Sequence, residues 1–273
     1  MSSLLRVESL SVAKRASHSL DATAQDADQL LRQVSFNVED GERVGLIGES
    51  GSGKSLTALA IIGLLPDSLL QSGSVNFAGR EISSLSNREL QKLRGREIAV
   101  VFQEPATALD PLMKVGKQVA EPIRRHFGLR GSDLRRSVIS ALDEVQLANA
   151  LRIADSYPHE ISGGERQRVA IAAAIACKPR LLITDEPTTA LDVTVQREIL
   201  KLIQNLVTER SMSLVFITHD LAVVAQVVDR ILVMRRGEIV ENLSVHQLSS
   251  APAHPYTQEL LKSARLLDSA LGA

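Results

Sequence analysis

The chain has 273 residues, enough for one large or two small hydrophobic cores, and its 31 Lys plus Arg against 32 Asp plus Glu leave a net charge of −1. That balance gives no electrostatic footing for wrapping nucleic acid, and with no Trp, five Phe and two Tyr, stacking platforms for bases are scarce. The one cysteine, Cys177, excludes an internal disulfide; no apolar run nears the ~20 residues that span a bilayer, and Met1–Arg6 is too short and polar for a secretory leader, so the expectation is an intracellular protein.

Leu4–Val12 and Leu31–Val38 are short apolar runs that read as strands, with the polar stretch Lys14–Asp28 between them as an exposed hairpin tip or loop. Asp40-Gly41 turns the chain into a strand over Arg43–Ile47. A helix over Leu56–Leu65 closes at Pro66, and Gly73–Phe77 reads as the next strand. Ile98–Phe102 is continuously apolar, as expected of a strand buried on both faces. From Pro105 to about Pro158 the period shifts from two toward 3.6. Leu134, Val138, Ala141, Leu142 and Val145 share one helical face, which marks a helical insertion. The alternation then resumes with helix Gly164–Ala176, strand Leu181–Thr184, helix Val193–Val207, strand Leu214–Thr218 and helix Leu221–Val227. Strands near Ile231–Met234 and Glu238–Val240 follow. Cys177, beside the first of these helices, reads as a small buried apolar residue. Strands alternating with helices of this length imply an α/β protein with a largely parallel sheet covered by helices.

The chemistry begins at Gly48-Glu49-Ser50-Gly51-Ser52-Gly53-Lys54-Ser55, which follows the apolar run Val44–Ile47 and precedes a helix. Strand, glycine-rich loop, Lys-Ser and helix form the context of a phosphate cradle. The glycines let consecutive N–H groups converge, the helix start adds partial positive charge, Lys54 adds a full one, and Ser55 can place a hydroxyl on Mg²⁺. These residues point to a bound nucleoside triphosphate. Leu181 to Pro187 is an apolar strand that delivers two carboxylates, Asp185 and Glu186, at its C-terminal end, the end of the sheet where ligands bind. Asp185 suits Mg²⁺, usually through water, and Glu186 suits orientation and deprotonation of an attacking water. Ser162-Gly163-Gly164-Glu165 opens a helix and offers a second anion-binding surface, without a lysine. One nucleotide does not need two such surfaces. The economical answer is that the second one serves the γ-phosphate of a nucleotide held by another subunit.

The order of phosphate loop, Gln103, Ser162-Gly163-Gly164, Asp185-Glu186, Asp192 and His219 resembles the nucleotide-binding subunit of an ABC transporter, over residues from about 4 to 262. Val101–Pro111, Thr188–Gln196 and His254-Pro255-Tyr256-Thr257 look like the peptide/nickel importer branch. The resemblance implies a P-loop NTPase core with an N-terminal antiparallel β subdomain and a helical insertion at about 105–160. It divides the chain into an ATPase domain at 1–245 and a short C-terminal extension at 246–273 carrying the His-Pro-Tyr-Thr motif. It also implies ATP held by Gly48 to Leu56 together with Ser162, Gly163, Gly164 and Asp192, and Mg²⁺ held by Ser55, Gln103 and Asp185. Catalysis would fall to Glu186, His219 and Gln103. Gln103 contacts Mg²⁺ and the attacking water and couples the site to the membrane domains, Asp192 crosses the dimer interface, and His219 reaches the γ-phosphate.

The implied activity is ATP hydrolysis by a head-to-tail ATPase dimer that energises an importer for peptides or a related small solute, nickel or another metal chelate included. The implied partners are a second ATPase subunit, a related chain or a second copy, two integral membrane permease subunits and, indirectly, a substrate-binding protein. No nucleic acid is expected, and the implied location is the cytoplasmic face of the inner membrane, peripherally bound. The alternative is a soluble ABC-type ATPase of a multienzyme complex such as one for phosphonate breakdown. A switch GTPase would need an Asn-Lys-x-Asp run, which the chain lacks. Three departures from the family pattern stand out. Lys14 occupies the position where an aromatic ring usually stacks on adenine, Glu165 replaces a commoner glutamine, and no cysteine cluster follows the His-Pro-Tyr motif, so no iron–sulfur cluster is implied.

Overall fold

The computed structural model describes residues 3–15, 29–102, 109–188, 191–250 and 252–271, which divide into two units, Met1–Leu90 with Ser213–Ala273 and Gln91–Met212. In the first unit, β1 (Ser3–Lys14), β2 (Gln29–Glu39), β4 (Leu69–Phe77) and β5 (Arg80–Glu81) form an antiparallel sheet in the order β2-β1-β4-β5. Along β1 the buried positions are Leu4, Leu5, Val7, Leu10 and Val12. The alternation slips by one between Val7 and Leu10, where Ser9 takes φ +48 and the ladder shifts register against β2.

That bulge explains why β4 begins at Leu69 rather than at Gly73, the expected start. Gly73, with φ +89, sits inside the strand opposite Ser9, and a Cβ there would lie 2.4 Å from the Ser9 carbonyl oxygen. The glycine marks a close backbone approach and not a strand end.

The same unit holds β3 (Arg43–Ile47), β8 (Ser213–Thr218), β9 (Arg230–Arg235) and β10 (Glu238–Ser244), in the order β10-β9-β3-β8. β3 is the central one of three parallel strands, and β10 runs antiparallel to β9. Every residue of β8 is buried, as are Val44, Leu46 and Ile47 of β3, so these strands are apolar runs without alternation. The helix after the phosphate loop, α1, spans Lys54–Ile61 and ends before the expected Leu65, because Gly63 takes φ +64 just past its last turn. α8 (Leu221–Val227) packs directly on β3, where a Cβ at Gly45 would fall 2.4 Å from Val224 Cγ2. Among the described residues, three helices have no counterpart in the expectations from the sequence: α2 (Asn87–Leu93), α9 (Val245–Ser250) and α10 (Pro255–Leu271).

The second unit contains the parallel pair β6 (Ile98–Val101) and β7 (Leu181–Asp185) and the helices α3 (Val115–Phe127), α4 (Gly131–Glu144), α5 (Ala150–Asp155), α6 (Gly163–Ile175) and α7 (Val193–Glu209). α3 buries Val115, Val119 and Ile123 at helical spacing, and α4 buries Val138, Ala141 and Leu142. Arg210 closes this unit: its guanidinium pairs with Glu144 at the end of α4 and donates to the Ile175 carbonyl at the end of α6 over 2.8 Å. Cys177 is buried just beyond α6, and burial pushes its thiol pKa up, as fits an inert packing residue. No helix among the described residues is long and apolar enough to cross a membrane.

Candidate nucleotide-binding and hydrolytic site

In the first unit the phosphate loop leaves the C-terminal end of β3, where Ile47 registers with Thr218 of β8 and Val233 of β9. One residue beyond that register stand Gly48 and His219, so parallel pairing alone brings the loop and the histidine to the same edge. The loop's glycines are required by space as well as by backbone angle. At Gly48, with φ +152, a Cβ would lie 2.1 Å from the Met234 carbonyl oxygen; at Gly53, with φ +109, it would lie 2.6 Å from Leu31 Cδ2.

Gly53 is the N-cap of α1 and no side chain among the described residues caps the helix, so its first N–H groups are left for an anion. Lys54 is buried to 5% exposure, and its ammonium donates to the carbonyls of Gly48 at 2.8 Å and Glu49 at 2.9 Å. The cation is therefore stored inside the loop's own curve. Ser52 adds a buried hydroxyl with no hydrogen-bond partner among the described residues. Ser55 is exposed on the first turn of α1. A cradle closed to side chains, lined by unsatisfied donors and a buried cation, fits a phosphate group.

In the second unit β7 is buried along its whole length and ends at Asp185, itself 6% exposed. Glu186 follows with φ +47, a left-handed conformation that costs a long side chain of order 1–3 kcal/mol and is found mainly where function demands it. Thr184 registers with Val101 of β6, and Gln103 lies outside the described residues.

Ser162 is the N-cap of α6. Its hydroxyl oxygen accepts from the Glu165 N–H at 3.2 Å while Glu165 accepts from the Ser162 N–H at 2.7 Å, a reciprocal capping box. The Ser162 amide is thereby used inside the chain. The hydroxyl proton is engaged by the Glu165 carboxylate, and the amides of Gly163 and Gly164 follow at the helix start. Glu165 also pairs with Arg152 at 3.0 Å. The Ser162 N–H holds its carboxyl below the usual range against the opposing effect of burial, with further help from the Ser162 hydroxyl and Arg152. Gly164 sets the spacing to α7, since a Cβ there would lie 2.9 Å from Val195 Cγ1. Asp192 caps α7, one carboxylate oxygen accepting from the N–H groups of Thr194 and Val195 at 3.1 and 3.0 Å.

One neighbour of the phosphate loop escaped the reading of the sequence. The Tyr256 hydroxyl lies 2.9 Å from the Glu49 N–H, which donates to it. The His-Pro-Tyr-Thr motif was the only signal available, and it carried no hint of where the tyrosine goes.

In the first unit, a glycine-shaped loop holding a buried lysine ahead of an uncapped helix start has the form of a phosphate loop, as in nucleotide-binding proteins. The sequence pattern of the family described as ABC transporter matches residues 31–189. The glutathione import ATP-binding protein GsiA of Pectobacterium atrosepticum is 47% identical over 249 residues, covering 89% of this chain and 40% of GsiA. The probable peptide ABC transporter ATP-binding protein y4tR of Sinorhizobium fredii is 46% identical over 241 residues, covering 88% of this chain and 72% of y4tR. The chain thus spans less than half of GsiA and nearly three quarters of y4tR. Among solved structures, the dimeric post-hydrolysis state of the ATP-binding cassette MJ0796 bound to ADP and Pi superimposes with a TM-score of 0.75 at 29% identity, over 88% of this chain and 98% of that one. The chain belongs to the ABC transporter family, as one of its ATP-binding, ATP-hydrolysing cassettes.

Proposed function

We propose that this cassette energises an importer for peptides or a related small solute, working as a head-to-tail dimer with a second cassette beneath two membrane permease subunits, on the cytoplasmic face of the membrane. The observation that carries the reading is the phosphate cradle with its stored lysine, in a chain 46% identical to a protein named for peptide transport. Lys54 and the amides of the loop bind the β- and γ-phosphates. Glu186 accepts the proton of the attacking water, and His219 and Gln103 hold the γ-phosphate and that water in line. Ser162, Gly163, Gly164 and Asp192 act on the nucleotide of the partner cassette.

The donor set for a metal is all oxygen, and no cluster of three His, Cys, Asp or Glu side chains among the described residues could hold an ion alone. That suits Mg²⁺, which takes one or two carboxylates and completes its shell with nucleotide phosphates and water. Ser55, Asp185 and Gln103 would hold it. When bound, it neutralises charge on the transferring phosphoryl group.

Co-expression with candidate permease subunits tests the assignment. The chain should sediment with membranes only when those subunits are present, and its ATPase rate should respond to the solute-loaded binding protein. A chain that stays in the soluble fraction with every permease supplied would favour a multienzyme complex instead.

The base contact gives a second expectation. Lys14 ends β1, paired with Leu69 of β4, where relatives place a ring, and the following segment 16–28 lies outside the described residues. Without a stacking partner, which in nucleic-acid sites contributes ~1–3 kcal/mol, selectivity between bases is small. ATP and GTP should bind within about tenfold of each other, or ~1.4 kcal/mol, in paired calorimetric titrations. Lys14→Tyr should strengthen ATP binding; a wild-type preference far above tenfold, or a Tyr variant that binds ATP worse, would place the adenine on other residues.

A further inference from the structure

The His254-Pro255-Tyr256-Thr257 motif has no part in the chemistry above, yet it is built into the phosphate loop. Tyr256, in the first turn of α10, is 1% exposed, and Thr257 beside it is fully buried. The Arg235 guanidinium, at the end of β9, lies over the Tyr256 ring, 4.6 Å from its centre. The segment before the motif is tied down as well, since the Ala253 N–H donates to Glu241 of β10 over 2.6 Å.

The informative contact is the one at Glu49. The peptide joining Gly48 to Glu49 presents its carbonyl to the Lys54 ammonium at 2.8 Å and its N–H to the Tyr256 hydroxyl at 2.9 Å. One peptide plane is thus pinned at both ends, from inside the loop by the lysine and from outside by the tyrosine. Farther along, the turn after β9 holds the loop a second time, through the Gly237 N–H to the Ser52 carbonyl at 2.9 Å. When Lys54 turns to a nucleotide phosphate it gives up the Gly48 carbonyl, and Tyr256 is then what keeps that peptide from rotating.

We propose that the His-Pro-Tyr-Thr segment is a strap that sets the phosphate loop for nucleotide, with Tyr256 as its positioning residue. The proposal rests on the reading of residues 48–55 as the ATP phosphate site. It goes beyond that reading by giving the C-terminal motif a task in affinity and not only in packing.

Tyr256→Phe in the full chain is the test, because it keeps the ring beneath Arg235 and deletes only the hydroxyl. The expected result is a rise of about three- to tenfold in the Kd for ATP and in KM, the range one net hydrogen bond supports, with kcat nearly unchanged. Either reading allows a lower melting temperature for the nucleotide-free protein, but a merely structural tyrosine would leave Kd and KM as they were, which overturns the proposal. A readout on the unaltered chain stands beside it: hydrogen exchange at the Glu49 amide should be slow both without nucleotide and with ATP, and fast exchange with ATP bound overturns the strap whether or not the variant folds. Lys54→Ala separates the two levels. If it abolishes ATP binding while Tyr256→Phe is silent, the strap fails and the site stands; if Lys54→Ala binds ATP as wild type does, the site reading fails and the strap with it.

Discussion

Glu186→Gln should bind ATP normally and hydrolyse it at least ~100-fold more slowly, since the amide keeps the size and acceptor geometry of the carboxylate but cannot take a proton from water. The backbone strengthens this expectation. Glu186 holds φ +47 immediately after a fully buried strand, and glutamine meets the same strain, so the substitution leaves local geometry and melting temperature where they were. With turnover stopped and binding intact, an ATP-bound dimer should accumulate and elute ahead of the monomer in size-exclusion chromatography. Hydrolysis within a few-fold of wild type would move the catalytic base to another residue.

The parts of the molecule legible in the sequence are those governed by local rules. β3, β7 and β8 announce themselves as short apolar runs because they are buried on both faces. The phosphate loop is legible because its glycines answer to backbone angles and to a carbonyl 2.1 Å from where a side chain would be. The illegible parts depend on residues far apart in the chain. Gly73 was read as the beginning of a strand, because nothing near it in sequence reveals Ser9 on the facing strand. Tyr256 meets Glu49 across 207 positions, and no periodicity encodes such a contact. Glu165 looked like a departure from the family pattern, yet its carboxylate closes the cap on Ser162 and pairs with Arg152, a role the spacing S-x-x-E does encode. Gln103 stays a matter of resemblance alone, as it falls outside the described residues.

Lys54→Ala should cost the isolated cassette its nucleotide, with ATP affinity falling about 100-fold or more, because charge-assisted contacts to the phosphates are lost together with the only lysine of the loop. The change also strands the Gly48 and Glu49 carbonyls that the ammonium now satisfies, so the nucleotide-free loop loses order as well. Ser162→Arg should behave oppositely. Its own phosphate loop is untouched, so a monomer keeps its ATP affinity, while a bulky cation replaces the N-cap of α6 that is proposed to face the partner's γ-phosphate. Loss of that cap costs of order 1 kcal/mol of stability, which a melting curve registers separately from activity. Each variant alone is then inactive for a different reason, one for want of bound nucleotide and one for want of closure. Mixed together, they assemble dimers in which one composite site joins an intact phosphate loop to an intact Ser-Gly-Gly turn, so each mixed dimer should regain about half the sites of wild type, and a randomly assorted equal mixture about a quarter. Mixed dimers that demonstrably form and yet stay inactive would show that the two surfaces do not complete one site between subunits, and Ser162 would revert to the helix cap that its hydrogen bonds already describe.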